Sequence, residues 1–468
     1  GAEIMKRPEI RPMLVAGRSL RAMALGGMLA AGLATLPSGA RADCDVPDKG
    51  IPEESLLSKL GPAWVSLGGL RPALAKGGIG VSATYYGEAF VNSGGFNQGG
   101  KYDGVLDVAI DADMHKLGFW KGLCFHTNGF QIHGQSITAS NIGSLMPVSS
   151  LEATPNTRLF ELWLEQHMFG DKLAVKVGQL AADTEFILSE GGGFFLNGTW
   201  GWPSITAADM PSGGPAYPLA TPGVRVAVTP NDKFQLLVGV YNGDPAPPCG
   251  SDDPQVCNSN GLDFELDDPP LLMVEGAYKY NQERLAGTIK LGGWNHFGDF
   301  EHQRFDVGGN LIAVTGLPGR PIDNDYGFYG IIDQLIWRLP GSEEAKGVAL
   351  FGRIIGAPSD RNLIDFYADG GVTFAGMIRS RPDDSFAIGF AYTGISDKVS
   401  GFDIDSGARV ARNYEALLEI CYTMQLATGW TLQPDFQYIG QPGGNVTDEN
   451  GRVVENAAVF GARSTMSF

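Results

Sequence analysis

The chain has 468 residues, 66 of them glycine, with 18% charged residues and a formal net charge of −18. That length allows a large core or several domains, and the acidic balance makes nucleic acid a poor partner. Mean hydropathy is −0.04, and beyond the N-terminal region no apolar run of about 20 residues appears, so there is no helical membrane span. A membrane barrel stays open, because its alternating strands average out in any hydropathy window.

The first 42 residues read as a secretory signal. Lys6, Arg7, Arg11, Arg18 and Arg21 supply positive charge, "AMALGGMLAAGLATL" (22–36) is apolar, and Ala40-Arg41-Ala42 offers a small-residue cleavage site. A buried helix of a soluble protein is the alternative. Asp43 sits where a lipoprotein signal wants a small residue, which argues against a lipid anchor on Cys44. Residues 43–78 form an expected N-terminal periplasmic segment. The early part of "ESLLSKLGPAWVSLGGLRPALAKGG" (54–78) predicts a short helix, broken by the Gly-Gly pair.

Strand patterns then run to the last residue: 79–91, 103–113, 121–134, 157–168, 172–180, 222–229, 233–241, 271–280, 285–297, 325–337, 346–355, 371–380, 384–393, 412–424, 430–439 and 456–468. Short links such as "HMFGDK" and "TPNDK" broadly alternate with long ones such as 135–156, 242–270, 298–324 and 394–411. Outer-membrane barrels have that rhythm, with short periplasmic turns and longer outer loops. No composition shift divides the chain, so 79–468 is taken as one barrel domain.

The faces discriminate barrel from soluble sheet. In "TRLFELWLEQHMF", Phe160, Leu162, Leu164 and Met168 fall on one side, while Glu161, Trp163, Glu165 and His167 fall on the other. Val224, Val226 and Val228 oppose Arg225; Leu106, Val108 and Ile110 oppose Asp107 and Asp111; Leu418 and Ile420 oppose Glu415 and Glu419. Helical patterns are nearly absent, and a chain that spans lipid without helices must close its sheet to satisfy every backbone group. The predicted fold is therefore all-β: a transmembrane antiparallel β-barrel of about sixteen strands, preceded by a short helical segment. The stretch 181–221 is too long for an ordinary loop and holds Phe194, Phe195, Trp200, Trp202 and Tyr217. It is expected to fold into the lumen with Trp200 near a constriction. Cys249 and Cys257 lie in one loop between strands, where a disulfide is expected and two free thiols are the alternative. Cys44 has no evident partner, and Cys124 and Cys421 look like single residues on strand faces.

Several stretches together resemble the OprB-type carbohydrate-selective porins of bacterial outer membranes. They are "GGLRPALAKGGI", "KLGFWKGLCF", "RLFELWLEQ", "KLAVKVGQLAADTEFILS", "FFLNGTWGWPSI", "PAYPLATPGVRV", "FGRIIGAPSDRN" and "TLQPDFQYIGQPGGN". Phe468 at the end of an alternating strand is a further likeness to outer-membrane proteins. The family usually has a Gly-Asp-Trp-Gly-Gly run where this chain reads "GPAWVSLGGLR". The resemblance implies a sixteen-stranded barrel in the outer membrane that passes glucose and related sugars into the periplasm by facilitated diffusion.

A pore that prefers sugars needs groups that hydrogen-bond hydroxyls and an aromatic to lie against the ring, with binding weak enough for release. The candidate lumen residues are Glu88, Asp107, Glu161, Trp163, Glu165, Lys176, Trp200, Arg225 and Arg353, with Asp111, Lys290 and Asp333 also facing inward and Trp202 beside Trp200 in the 181–221 stretch. The expected partners are monosaccharides, small oligosaccharides and outer-membrane lipid. No G-x-S-x-G, H-E-x-x-H or P-loop motif is present, and no enzyme activity, cofactor or metal is expected. "DIDSG" (403–407) begins like a calcium loop, but its twelfth position is Tyr414. The competing readings are an outer-membrane barrel hydrolase and a secreted carbohydrate-binding β protein.

Overall fold

The computed structural model describes residues 44, 46–47, 50–52, 54–59, 67–251, 253–342, 346–448 and 451–468. The expected signal segment 1–42 lies outside them. Among the described residues, sixteen strands close into one antiparallel barrel in which each strand pairs with its sequence neighbours. They are β1 (Ile79–Gly95), β2 (Gly99–Asp113), β3 (Leu123–Gly134), β4 (Thr157–Met168), β5 (Leu173–Leu180), β6 (Thr221–Asn231), β7 (Phe234–Tyr241) and β8 (Leu271–Tyr280), followed by β9 (Gly287–Asp306), β10 (Gly319–Arg338), β11 (Gly347–Gly356), β12 (Ile364–Ala375), β13 (Ser385–Ile395), β14 (Tyr414–Ala427), β15 (Trp430–Gly440) and β16 (Glu455–Ser467). The first and last strands seal the wall, with Glu88 opposite Arg463 and Phe90 opposite Gly461. Closure leaves no edge strand, as a hydrocarbon surrounding requires.

Side-chain alternation explains the two surfaces. Val224 is 41% exposed while its neighbour Arg225 is 6% exposed. The same contrast separates Leu418 from Glu419 and Phe460 from Arg463. The barrel turns its apolar row outward and its charged row inward.

The structure corrects several expected boundaries. β9 and β10 reach far beyond their apolar cores, so most of 298–324 is an extended hairpin rather than a loop. Above the membrane both faces of a strand meet water, and the apolar alternation that marks a strand fades there. β12 spans 364–375 rather than 371–380. In the N-terminal segment a short 3-10 helix (Leu56–Lys59) lies before the Gly68-Gly69 pair, with 60–66 outside the described residues, and a further helix not expected from sequence, α1 (Leu70–Lys76), follows the pair.

One end of the barrel carries short turns, such as 169–172, 232–233 and 428–429. The other carries long connections, including 135–156, 181–220, 242–270 and 396–413. The short-turn end is the periplasmic one by the rule for outer-membrane barrels. The connection 135–156 was expected as an outer loop, yet Ile142, Met146, Val148 and Leu151 are buried. The 181–220 connection likewise buries Phe186, Ile187, Trp202 and Ile205. Both connections pack against wall residues such as Phe90, Phe351 and Leu417. The 181–220 run includes a short helix, α2 (Ser204–Asp209).

A disulfide joins Cys249 to Cys257 within the 242–270 connection. A second joins Cys44 to Cys124, so Cys124 is not the isolated face residue that the sequence pattern implies.

Candidate functional site

The inward residues divide by what they touch. One group anchors the two connections that enter the lumen. Arg353 on β11 is 3% exposed. Its guanidinium donates to Asp369 Oδ2 (2.9 Å) and to the carbonyls of Ile187 and Thr199 (3.0 Å each). Glu88 accepts from Arg463 and from Ser149, and Arg463 also donates to Ser150 (2.9 Å). Glu161 receives the backbone N–H of Ala181 (3.1 Å), where the 181–220 run begins. Asp333 receives Ser189 Oγ (2.7 Å) and the N–H of Gly191 (3.0 Å). Lys290 donates to the carbonyl of Leu188 (2.8 Å). A run of irregular backbone can leave water only if its polar groups find such partners.

Trp200, expected near a constriction, belongs to this group. It is 2% exposed, donates Nε1–H to Glu419 (2.6 Å) and stacks on Phe195 with ring centroids 4.5 Å apart. Trp202 is also buried, donating to the carbonyl of Gly213 (2.9 Å). Their apolar bulk fills space between segment and wall, so neither offers a ring face to a solute.

Two further anchors were visible on the charged face in the sequence but not among the candidate lumen residues. Glu415 accepts from Ser144 Oγ (2.6 Å) and from the N–H groups of Leu145 (2.8 Å), Met146 (2.9 Å) and Gly443 (2.6 Å). Glu419 accepts from Leu196 N–H (2.6 Å) as well as from Trp200. Their spacing of four along one strand, which puts two carboxylates on the inward face, was the available signal.

Phe160 is a second correction. Alternation assigns it to lipid, but it is 4% exposed and packs on Phe130 (centroids 4.9 Å apart). Phe130 in turn meets Tyr217 of the lumen segment edge-on (5.2 Å). The cause is a bulge: the register jumps from Thr127 opposite Leu162 to Gly129 opposite Leu159. Phe160 and Glu161 therefore share the single position Asn128, and both point inward.

The second group forms a charged cluster on the wall of β2 to β6 that keeps slight exposure. Arg225 donates to Glu165 (2.8 Å) and to Glu185 (2.8 Å), and Lys176 also pairs with Glu185. These four side chains are 7–18% exposed. Lys176 and Arg225 are direct cross-strand partners, which would repel without the carboxylates between them. Glu185 comes from the 181–220 segment and was not singled out from sequence. Trp163 stands beside this cluster, with His126 of β3 stacked on it (4.9 Å) and Lys176 Nζ from β5 4.2 Å from its ring centre. Neighbours from both flanking strands thus pack on Trp163, which stays half-buried. Asp107 accepts from Asn128 (3.2 Å) and Asp111 pairs with His126 (2.7 Å) on the same wall.

A closed antiparallel barrel with an apolar exterior, a charged interior and two connections folded into its lumen defines a membrane channel of the porin class. The model of the carbohydrate-selective porin family OprB matches residues 97–468. Porin B of Pseudomonas aeruginosa (strain PAO1) is 24% identical over 425 residues, covering 85% of this chain and 89% of that protein. The structure of Pseudomonas putida OprB at high pH matches with a TM-score of 0.77 at 22% identity, over 86% of this chain and 97% of that one. The low-pH structure of the same protein matches with a TM-score of 0.53 at 16% identity, over 89% and 99%. The chain belongs to the OprB family of carbohydrate-selective porins. It is an outer-membrane channel for sugars and not an enzyme.

Proposed function

We propose that monosaccharides and small oligosaccharides cross at the cluster Glu165–Arg225–Glu185–Lys176, on the free side of the 181–220 segment. Two carboxylates and two cations cancel in formal charge, so the cluster neither concentrates nor repels ions strongly. It does present acceptors and donors within a few ångströms of one another, which suits a neutral solute covered in hydroxyls. Partial exposure suits weak binding, since each hydroxyl replaces water at little net gain and the solute can leave. The observation that carries this reading is the placement of Glu185. It stands on the lumen segment and pairs with cations of two wall strands, so a solute reaching the cluster would touch segment and wall together.

Shortening the segment within 190–215 tests the reading. Ion conductance in a planar bilayer should rise and block of that current by added sugar should weaken. Unchanged conductance and unchanged block in a folded variant reject it. Barrel folding is checked separately by heat-modifiable gel mobility.

A further inference from the structure

The family's lumen segment does not account for the chain before β1. Cys44 is bonded to Cys124. Cys124 lies opposite Asp113, two positions along from the pair formed by His126 and Asp111. It therefore shares the lumen face with those residues, close to the periplasmic turn. Val46 and Pro47 then lie over Gly80 of β1, where a Cβ would stand 3.3 Å from Pro47 Cδ. Gly80 is opposite Asp111, so it too faces the lumen, and its lack of a side chain leaves room for the chain above it. Gly50 packs against the backbone of Arg71 and the Cβ of Ala75 in α1, and Ile51 is buried. At the far end the Glu54 carbonyl meets the β14–β15 turn, only 2.3 Å from where a Cβ on Gly429 would be, and Ser55 is buried. The contacts thus pass from β3 over β1 to the β14–β15 turn, an arc of six neighbouring strands in the barrel order. Local turns set its path: Gly50 N–H donates to the Pro47 carbonyl (2.8 Å) and Ser55 N–H to the Pro52 carbonyl (3.1 Å).

We propose that the described residues of the N-terminal segment, Cys44, Val46–Pro47, Gly50–Pro52 and Glu54–Ser55, form a second constriction at the periplasmic exit, pinned against the lumen-facing wall by the Cys44–Cys124 disulfide. Solute that passes the upper cluster meets this strap beside Asp111 and His126 before it leaves. The disulfide fixes one end to β3, and the Gly80 and Gly429 contacts fix its path. The strap limits flow by size, whereas the cluster above it discriminates by chemistry.

Two variants test this in the full barrel, each first shown to fold by heat-modifiable mobility: one lacking 44–56, and Cys44→Ser/Cys124→Ser. Single-channel conductance should rise about 1.5-fold or more in the deletion, because the narrowest section dominates resistance. It should rise in the double serine variant as well, since the strap is then free at one end. The concentration of sugar that half-blocks the current should stay at the wild-type value in both, which separates this constriction from the upper cluster. Wild-type conductance in the deletion overturns the proposal and leaves the disulfide a staple. A rise in the deletion with wild-type conductance in the serine variant overturns the pinning role.

Discussion

Arg353 shares its guanidinium among Asp369 and the carbonyls of Ile187 and Thr199, nearly out of contact with water. Replacing it with alanine would strand Asp369 in the wall and orphan carbonyls on the lumen segment. Breaking a buried pair from one side costs roughly 3–5 kcal/mol. Arg353→Ala should therefore lower the unfolding midpoint in detergent and broaden the conductance distribution; an unchanged midpoint would show that the segment is held without it. Arg225 differs in degree, because its partners Glu165 and Glu185 keep some exposure (12% and 18%) where Asp369 has none. Arg225→Ala should cost less stability than Arg353→Ala, since water can reach the freed carboxylates, and shift the cluster toward net negative charge. The expected readout is a reversal potential moved toward cation preference, with sugar block weakened by about 1–3 kcal/mol for the lost charged hydrogen bond. If reversal potential and block both stay at wild-type values, solute does not pass Arg225. The contrast between the two arginines was beyond sequence reading. Both sit opposite apolar neighbours on inward faces, and only the path of the 181–220 segment tells anchor from lining.

Among the connecting elements, α3 (Asp397–Asp405) lies in the 396–413 connection on the outer side and begins under a cap, with Ser396 accepting from Val399 N–H. Its C-terminal Asp405 receives Arg304 Nε (2.6 Å) and Nη2 (2.9 Å) from the extended end of β9. The hydrogen bond from Arg304, and then its charge, hold the Asp405 carboxyl below the usual aspartate range. A carboxyl lowered on folding contributes its stability above the unfolded value, about 3.9, and loses it as pH falls through the folded value. The contact should hold from neutral pH through mild acid and open only in stronger acid. Asp405→Asn should open it at neutral pH. Deuterium uptake over 397–405, corrected for intrinsic rate, checks both; protection in the variant equal to wild type at neutral pH would show that the pair does not tether the helix. Elements of this kind also mark where sequence reading stops. Strand alternation is local and period two, so all sixteen strands were visible, and the aromatic content of 181–221 marked it as a lumen segment. The 135–156 connection gave no such sign, because its small polar residues suit an outer loop equally well. Its fate depends on Glu415, some 270 positions away. The Phe160 bulge and the Cys44–Cys124 bond likewise depend on register and on long-range proximity, which periodicity does not encode.

At the scale of the whole molecule, the apolar exterior identifies the solvent. Leu164, Val177, Leu236, Leu291, Phe328, Ile354, Phe390 and Phe460 are 39–70% exposed and lie on strands all round the barrel. Soluble monomers rarely expose contiguous apolar patches beyond a few hundred Å², whereas a lipid-facing band is obligatory for a membrane barrel. The interior carries the opposite character, since the lumen holds water as well as packed segments. A charge should therefore be tolerated or rejected by face rather than by strand. Leu164→Arg places a cation in lipid, at a cost of roughly 2–4 kcal/mol near the midplane and less toward either interface. Thr184→Arg places the same cation at an exposed position on the lumen segment, where water and the nearby carboxylates of Glu165 and Glu185 receive it. The first variant should assemble poorly into liposomes, judged by loss of the heat-modifiable gel band. The second should assemble like wild type and pass less current, because a long side chain now projects into the passage. Normal assembly of Leu164→Arg together with failure of Thr184→Arg would mean that the faces are inverted. Assembly of both with unchanged current would place Thr184 away from the passage, and with it the neighbouring Glu185 on which the sugar path depends.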